Sequence, residues 1–437
     1  MKAINVGLCG VGTVGGGTAT VLKRNGEEIA RRAGRPIVVT MAANRDLDRA
    51  RELVGEGVAL TDNAMDVVNN PDIDIVVELI GGTTIAKDLV LAAIENGKHV
   101  VTANKKLIAE YGNEIFARAQ EKGVIVAFEA AVAGGIPVIK ALREGLTANK
   151  IEWVAGIING TSNFILTEMR DKGSAFADVL AEAQRLGYAE ADPTFDIEGH
   201  DAAHKLTIMS AIAFGIPVQF DKAYLEGISK LDAADIKYAA ELGYRIKLLG
   251  MTRRRPNGIE LRVSPTLIPA GRLIANVDGV MNAVLVKGDA VGATMYYGPG
   301  AGAEPTASSV IADLVDITRL HTADPEHRVP HLAFQPTAMA NLPILPISEV
   351  ETCYYLRLSV KDLPGVLANV TSILAEGQIS VDAMLQKPAA SAEDGAELVI
   401  VTHTAIEKNI NAAIAKIELL PSTNGKVVKL RLEHLNG

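Results

Sequence analysis

Asp201 and Lys205 stand four residues apart just ahead of the apolar run "LTIMSAIAFGI". At that spacing both side chains share one face of a helix whose following residues are core. A buried carboxylate beside an amine suits two tasks, holding an amino acid and delivering a proton to a carbonyl. When hydride reaches an aldehyde carbon, the oxygen becomes an alkoxide, and a neighbouring lysine can give it a proton. A lone lysine, with a pKa of about 10.4, is a slow donor at neutral pH. A second cation and partial burial lower that value. Lys105 and Lys106, in "VVTANKKLIAEYG", directly follow a short apolar strand. That places them at the carboxyl edge where parallel sheets bind ligands, and Lys105 is the favoured member of the pair. The plain alternatives are an ordinary i,i+4 ion pair and a solvated pair of lysines.

A hydride needs a carrier. In "VGLCGVGTVGGG", Gly10, Gly12 and Gly15 fill the three places of G-x-G-x-x-G, after a strand and at the opening of a helix. Glycines there permit a tight turn and let backbone N–H groups approach a pyrophosphate at a helix N-terminus. Gly16 and Gly17 read more plainly, as residues that loosen the helix start. The second strand ends at "AANRDLDR", where Asn44 and Arg45 occupy the position that contacts the adenosine ribose. An arginine there accepts the 2′-phosphate of NADP, so NADP is favoured, while Asp46 and Asp48 keep NAD open. Arg45 as a solvated loop charge is the alternative.

"HDAAH", from His200 to His204, imitates the zinc-protease helix H-E-x-x-H. An aspartate in place of the glutamate reaches a metal-bound water less well, and no third ligand follows at the usual spacing. The histidines read as helix-face residues, with Asp196 and Glu198 capping or flanking the helix start. Across 437 residues the chain is 48% hydrophobic and 22% charged, with a formal net charge of -9. That is a globular composition with no basic field, so nucleic acid and anionic membranes are poor partners. Cys9 and Cys353 are too far apart in sequence for a disulfide framework, which fits a reducing cytoplasm. The start "MKAINVGLCGVGTVGGG" has a lysine ahead of an apolar run but breaks at glycines, so it reads as a strand and not a signal peptide. The longest later apolar run, Leu206 to Val218, is too short to span a bilayer.

These residues need a scaffold. Strands are expected at Ile4 to Leu8, from Pro36, from Ile73, in "GKHVVTA" and in "GVIVAFEAAV", with helices at Thr13 to Arg32 and Ile85 to Asn96. Buried strands alternating with helices indicate an α/β fold with a doubly wound parallel sheet of the Rossmann type over residues 1–130. Residues 131–310 mix helices with the strand-like "IEWVAGIING", "IELRVSPTLI" and "NAVLVKGDAVGATMYYG", as an α+β domain would, and the family resemblance given below implies for it a catalytic and dimerisation role. A returning helix and a Pro-rich linker occupy 311–349, and a small unit restarts at 350–437.

Taken together, "GLCGVGTVG", "VVTANKK", "EAAVAGGIPVI", "GIINGTSNFIL", "LGYAEADPTFDIEGHDAAHKL" and "GPGAGAEPTASSV" make the chain resemble homoserine dehydrogenase over nearly its whole length. The resemblance implies reversible NAD(P)H-dependent reduction of L-aspartate 4-semialdehyde to L-homoserine, on the route to threonine, isoleucine and methionine. It implies that Lys205 is the proton donor, that Lys105 assists on the nicotinamide side, and that Glu190 and Asp201 hold the substrate with Gly187 and Tyr188 beside them. It implies cofactor contacts at Thr13, Val14, Thr83 and Gly302. It also implies a sodium site made by Glu129 and the carbonyls of Val132, Gly134 and Ile136, although the same turn read plainly is only a tight link. Oxygen ligands suit such a hard ion.

The tail, "YYLRLSVKDLPGVLANVTSILAEGQISVDAMLQK" and "AELVIVTHTAIEKNINAAIAKI", resembles an ACT domain of ferredoxin-like βαββαβ order, with Gly365 between its first strand and helix. Such modules bind amino acids between paired sheets, so feedback by threonine and a homodimer, or a dimer of dimers, are expected; dimerisation alone is the plainer role. The bifunctional form with an aspartokinase ahead of Met1 is not expected. Two rivals remain. A thioester-forming dehydrogenase needs a nucleophilic cysteine at the site, where neither Cys9 nor Cys353 belongs. A non-catalytic nucleotide-binding sensor leaves Glu190, Asp201 and Lys205 without a task.

Overall fold

The computed structural model describes residues 2–388 and 395–436. The first elements are β1 (Ile4–Cys9), α1 (Thr13–Ala33), β2 (Ile37–Ala43), α2 (Leu47–Val54), β3 (Ala59–Thr61), α3 (Ala64–Asn69), β4 (Ile75–Glu78), α4 (Thr84–Glu95), β5 (His99–Thr102), α5 (Lys105–Lys122) and β6 (Val126–Ala127). Next come α6 (Val138–Lys140), β7 (Ile151–Ile157), α7 (Gly160–Lys172), α8 (Phe176–Arg185), α9 (Thr194–Ile197) and α10 (His200–Phe214). The chain continues through β8 (Tyr224–Leu225), α11 (Ala233–Glu241), β9 (Tyr244–Arg255), β10 (Gly258–Pro269), β11 (Met281–Gly288), β12 (Gly292–Pro299) and α12 (Ala303–Leu320). It finishes with β13 (Glu351–Val360), α13 (Val366–Glu376), β14 (Val381–Pro388), β15 (Ala396–Thr402), β16 (Ala405–Ile406), α14 (Glu407–Glu418) and β17 (Thr423–Leu432).

These elements fall into two compact units. The first holds Met1–Gly160, Asp201–Asp221 and Val280–Leu342, and the second holds Thr161–His200, Lys222–Gly279 and Pro343–Gly437. In the first, six parallel strands run in the order β3-β2-β1-β4-β5-β6. The order reverses between β1 and β4, where doubly wound sheets open a ligand crevice outside their strand ends. Val6, Leu8, Ile75, Val77 and Val101 of the sheet pack with Leu22 and Ile29 of α1 and with Val310, Leu314 and Ile317 of α12. Those two helices approach closely because Gly17 lacks a side chain. A Cβ there would stand 2.5 Å from the Ala303 carbonyl oxygen, so Gly17 serves helix packing and is more than a loosened helix start. The antiparallel set β12-β11-β7 belongs to the same unit and brings the end of β7 into play below.

The sequence reading passed over α2, β3 and α3, so the strand expected third, from Ile73, is the fourth. "GVIVAFEAAV" keeps only two residues in β6 before Glu129–Ala131 wind into a short 3-10 turn. The Asp313 carboxylate accepts the Glu129 N–H at 2.8 Å there, which takes that donor out of any ladder.

In the second unit β9 and β10 form a long antiparallel hairpin. The C-terminal strands run β17-β13-β15-β14, with α13 and α14 packed through Val370, Leu374, Ile410 and Ile417. β17 pairs in parallel with β10 through Thr266 and Arg431. The tail therefore shares its sheet and its compact unit with part of the central region.

Candidate active site

α10 is buried from Asp201 to Phe214, as the apolar run after Lys205 requires. Asp201 and Lys205 occupy one face, with Lys205 Nζ 2.7 Å from Asp201 Oδ2. The same ammonium donates to the Ile158 carbonyl at 2.7 Å, and Asn159 Nδ2 donates to Asp201 Oδ2 at 2.9 Å. Both partners lie in the turn that leaves β7. On the other side, Lys105 Nζ sits 2.8 Å from Asp201 Oδ1. Asn104 places Lys105 by capping α5, its Oδ1 accepting the Leu107 N–H. Lys106, the second lysine after β5, instead lies 3.9 Å from Glu110.

Access separates the members of the cluster. The side chains of Asp201 and Lys205 are 5% and 10% exposed, and that of Lys105 is 34% exposed. Burial opposes ionisation of Asp201, but the Coulombic pull of Lys205 and then Lys105 outweighs it and holds the carboxyl well below the usual carboxylate range. Two amines share one ionised acid, a surplus of positive charge suited to an alkoxide forming nearby.

At the crevice, Gly10 adopts φ 95° and a Cβ on it would meet the Leu79 carbonyl oxygen at 2.7 Å. Gly15 is packed as tightly, with the Gly10 carbonyl oxygen 2.1 Å from its Cβ position. Gly12, at the N-terminus of α1, differs in facing open space. The first and last glycines serve the turn, and the middle one leaves room in front of a helix N-terminus. Thr13 and Val14 begin that helix, Thr83 caps α4, and Gly302 caps α12 at φ 120°. Asn44 Oδ1 accepts the Val11 N–H at 3.1 Å, and Asp46 caps α2 by accepting the Arg49 N–H at 3.0 Å. Arg45 is exposed. The side chains on either side of it are engaged in the fold.

Glu129 is 1% exposed, and its two oxygens accept the N–H groups of Ile139 at 2.9 Å and Lys140 at 2.8 Å. Burial, and then neighbouring Asp313, push its carboxyl up to about 7. Ala133 and Gly134 turn through φ 55° and 47°; the Gly134 carbonyl accepts the Ser309 hydroxyl, and the Ile136 carbonyl accepts the Val138 N–H. Val132 leaves this turn in extended conformation.

Glu190, Gly187 and Tyr188 belong to the second unit. Gly187 ends α8 at φ 78°, Tyr188 packs against Phe164 at 4.8 Å and accepts the Thr161 hydroxyl on its carbonyl, and Glu190 is exposed. Asp196 and Glu198 flank the start of α10. Glu198 accepts the Ser229 hydroxyl, and Asp196 lies within α9. His200 stacks near Phe195 and His204 packs 4.2 Å from Phe220. Among the described residues no group of three His, Cys, Asp or Glu is placed to hold a metal ion. Cys9 is buried, and burial followed by the charge of Glu78 pushes its thiol up to about 12, so no thiolate is available for thioester chemistry. Asn159 and the Ile158 carbonyl are the site groups that sequence reasoning did not single out. The apolar strand ending in Asn-Gly was their only local signal.

Residues 10–129 match the homoserine dehydrogenase NAD binding domain, residues 137–315 match homoserine dehydrogenase, and residues 354–420 match the ACT domain. Over 437 residues the chain is 65% identical to a homoserine dehydrogenase of Pseudomonas aeruginosa, covering 100% of both. A homoserine dehydrogenase crystal structure from Thiobacillus denitrificans superposes with a TM-score of 0.95 at 70% identity, covering 100% of this chain and 99% of that one. A hyperthermophilic archaeal homoserine dehydrogenase solved in complex with NADPH gives a TM-score of 0.63 at 27% identity, over 74% of this chain and 99% of that one.

Proposed function

The chain belongs to the homoserine dehydrogenase family, and from that premise we propose how its own residues carry the NAD(P)-dependent interconversion of L-aspartate 4-semialdehyde and L-homoserine. The glycine turn would hold the pyrophosphate of a dinucleotide whose nicotinamide would supply the hydride in one direction and take it in the other. Lys205 gives its proton to the carbonyl oxygen as the carbon is reduced, and takes one from the hydroxyl in reverse. Asp201 and the Ile158 carbonyl hold the amine in place. Lys105, the more open of the two lysines, lowers the proton affinity of Lys205 by its charge and faces the cofactor side. Asp201 is chiefly the anchor of both amines, and Glu190 recognises the substrate's amino group. The observation that carries this reading is one ionised carboxylate shared by two lysines of unequal exposure. Lys205→Ala should lower turnover by about 10³ while changing NADPH affinity little, since positioned acid–base groups contribute about 10²–10⁴. Equal losses in both would make Lys205 a structural residue. The sensor alternative, which predicts no turnover, is not favoured.

NADP is the preferred cofactor on the strength of exposed Arg45, whose neighbours are occupied; Arg45→Ala should raise the KM for NADPH about tenfold and leave that for NADH unchanged. A monovalent cation fits beside Glu129, a buried carboxyl with a second buried acid for a neighbour, and the carbonyls of Val132, Gly134 and Ile136 complete an oxygen set. A higher melting temperature in sodium than in choline chloride at equal ionic strength is the expected sign. Threonine is the effector of the ACT domain, supported by the glycine turn at Gly365, φ 89°, which opens α13. An initial-rate titration with threonine tests it. Two copies assemble in solution, supported by exposed Tyr297 on β12, a strand paired on one side to β11; sedimentation reads the mass. The cytoplasm is the proposed compartment, supported by Cys9 and Cys353, both buried as free thiols.

A further inference from the structure

Cys9, Glu78 and Thr102 are register partners across the last positions of β1, β4 and β5. They form a row at the carboxyl edge of the sheet, beside the point where the strand order reverses. The middle member is a fully buried acid, 0% exposed. Its Oε1 accepts the backbone N–H groups of Ile80 at 2.9 Å and Gly81 at 3.0 Å, and its Oε2 accepts the Thr102 hydroxyl at 2.7 Å. All three partners are neutral. The Thr102 oxygen in turn accepts the Asn104 N–H at 3.0 Å, and Asn104 Nδ2 donates to the Gly82 carbonyl at 2.7 Å. The bonds close a ring from Glu78 through the loop 80–82 to Asn104, Thr102 and back. Asn104 is also the cap that starts α5 at Lys105.

Burying a carboxylate is costly, and an apolar residue at the end of β4 would fill the same volume without that penalty. What the acid adds is a fixed geometry for two loops at once. Gly81 and Gly82 have φ 81° and 73° with open space around their Cβ positions, so the loop has little packing of its own to fix it. The loop also touches the nucleotide turn, because the Leu79 carbonyl lies against Gly10. We infer that Glu78 is a positioning residue for hydride transfer: its buried carboxylate clamps the loop 79–83 to the start of α5, so that the nicotinamide side of the crevice and Lys105 are preset together. The Lys105 half of this statement rests on the role proposed for that lysine above.

Glutamine at this position reproduces only part of the arrangement. An amide that keeps the loop N–H bonds through its oxygen can only donate to Thr102, which strips the Thr102 O–H of its acceptor, and the flipped amide loses the loop. Steady-state kinetics of the full chain with both substrates varied, beside thermal melts, test the inference. Glu78→Gln should raise the KM for NADPH and lower kcat, each by about tenfold, and leave the semialdehyde KM within about twofold. Thr102→Val should give the same split, Thr102→Ser should restore parental values, and the Glu78→Gln/Thr102→Val double variant should be no worse than the worse single, as for groups acting through one ring. If Glu78→Gln fails to fold, Thr102→Val carries the test. Parental kinetics in Thr102→Val, additive losses in the double variant, or losses that rise equally in every constant overturn the clamp. Lys105→Ala separates the two readings. Full turnover in that variant removes the role of Lys105, while the cofactor KM of Glu78→Gln still decides for or against the loop.

Discussion

Two buried clusters of charge invite comparison, Asp201 with Lys205 and Lys105 in the first unit, and a set around Arg262 in the second. Arg262 donates through Nε to Glu260 at 2.8 Å and through its terminal nitrogen to Glu433. Arg253 reaches Glu433 at 2.7 Å, Arg255 reaches Glu260 at 3.0 Å, and the Thr352 hydroxyl donates to Glu433 at 3.1 Å. Both clusters hold one more cation than acid. They differ in what their cations can do and in what can reach them. A guanidinium keeps its proton and binds carboxylates with a planar fork, whereas an ammonium loses its proton readily when desolvated or crowded by another cation. Arg262 and Glu260 are both 0% exposed, while Lys105 opens its cluster to the crevice. The same net excess of charge thus makes a fastener in one place and, on the function proposed above, an acid–base group in the other.

The comparison is broken most severely at Glu433. Glu433→Ala strands Arg262 and Arg253 in the sheet, and removing one partner of a buried pair costs about 3–5 kcal/mol. Denaturant melts should show that loss, while the molecules that stay folded keep parental kcat; a fall in kcat at unchanged stability would put the arginine cluster in the chemistry. A chain ended near Ile347 also removes Glu433 and should show the same instability, which makes such a truncation a poor way to isolate the regulatory segment.

A smaller effect sharpens the contrast through two imidazoles, buried His99 and half-buried His331. His99 Nδ1 accepts the Ile125 N–H at 2.9 Å, and His331 Nε2 accepts the Val126 N–H at 3.1 Å. Burial first, then nearby Arg328 for His99 and Arg143 for His331, bring each imidazole down to about 4. A base whose folded pKa lies below its unfolded value of about 6.5 stabilises the fold above that value and loses the contribution as pH falls toward the folded one. Stability should therefore decline between about pH 6.5 and 4, by about 2–3 kcal/mol per imidazole. Melting temperatures across that range should fall less steeply in His331→Phe. A parallel decline in both proteins would assign the acid sensitivity elsewhere.

How far each region could be read in advance follows from the range of its contacts. Asp201 and Lys205 meet within one helical turn, so their spacing alone announced them. The glycine turn was equally local, because strand, turn and helix are consecutive. Lys105 and Asn159 join Asp201 from 96 and 42 residues away, and nothing in their own neighbourhoods specifies that partner. Gly17 looked like a weakness of α1 because the helix it accommodates, α12, begins at Ala303. β3, α2 and α3 are three to eight residues long with few buried positions, too short to show a period. The pairing of β17 with β10 spans 165 residues between Thr266 and Arg431, and with it the arginine cluster stayed out of reach of pattern reading.

The account stands on an amine at position 205 that releases a proton. Lys205→Arg is its most direct test, because the guanidinium keeps the positive charge beside Asp201 and gives up the ability to transfer. Single-turnover reduction of L-aspartate 4-semialdehyde with saturating NADPH should be slower by about 10² or more, with NADPH affinity and melting temperature close to parental. Turnover within about threefold of the parent would contradict it, since charge alone would then suffice.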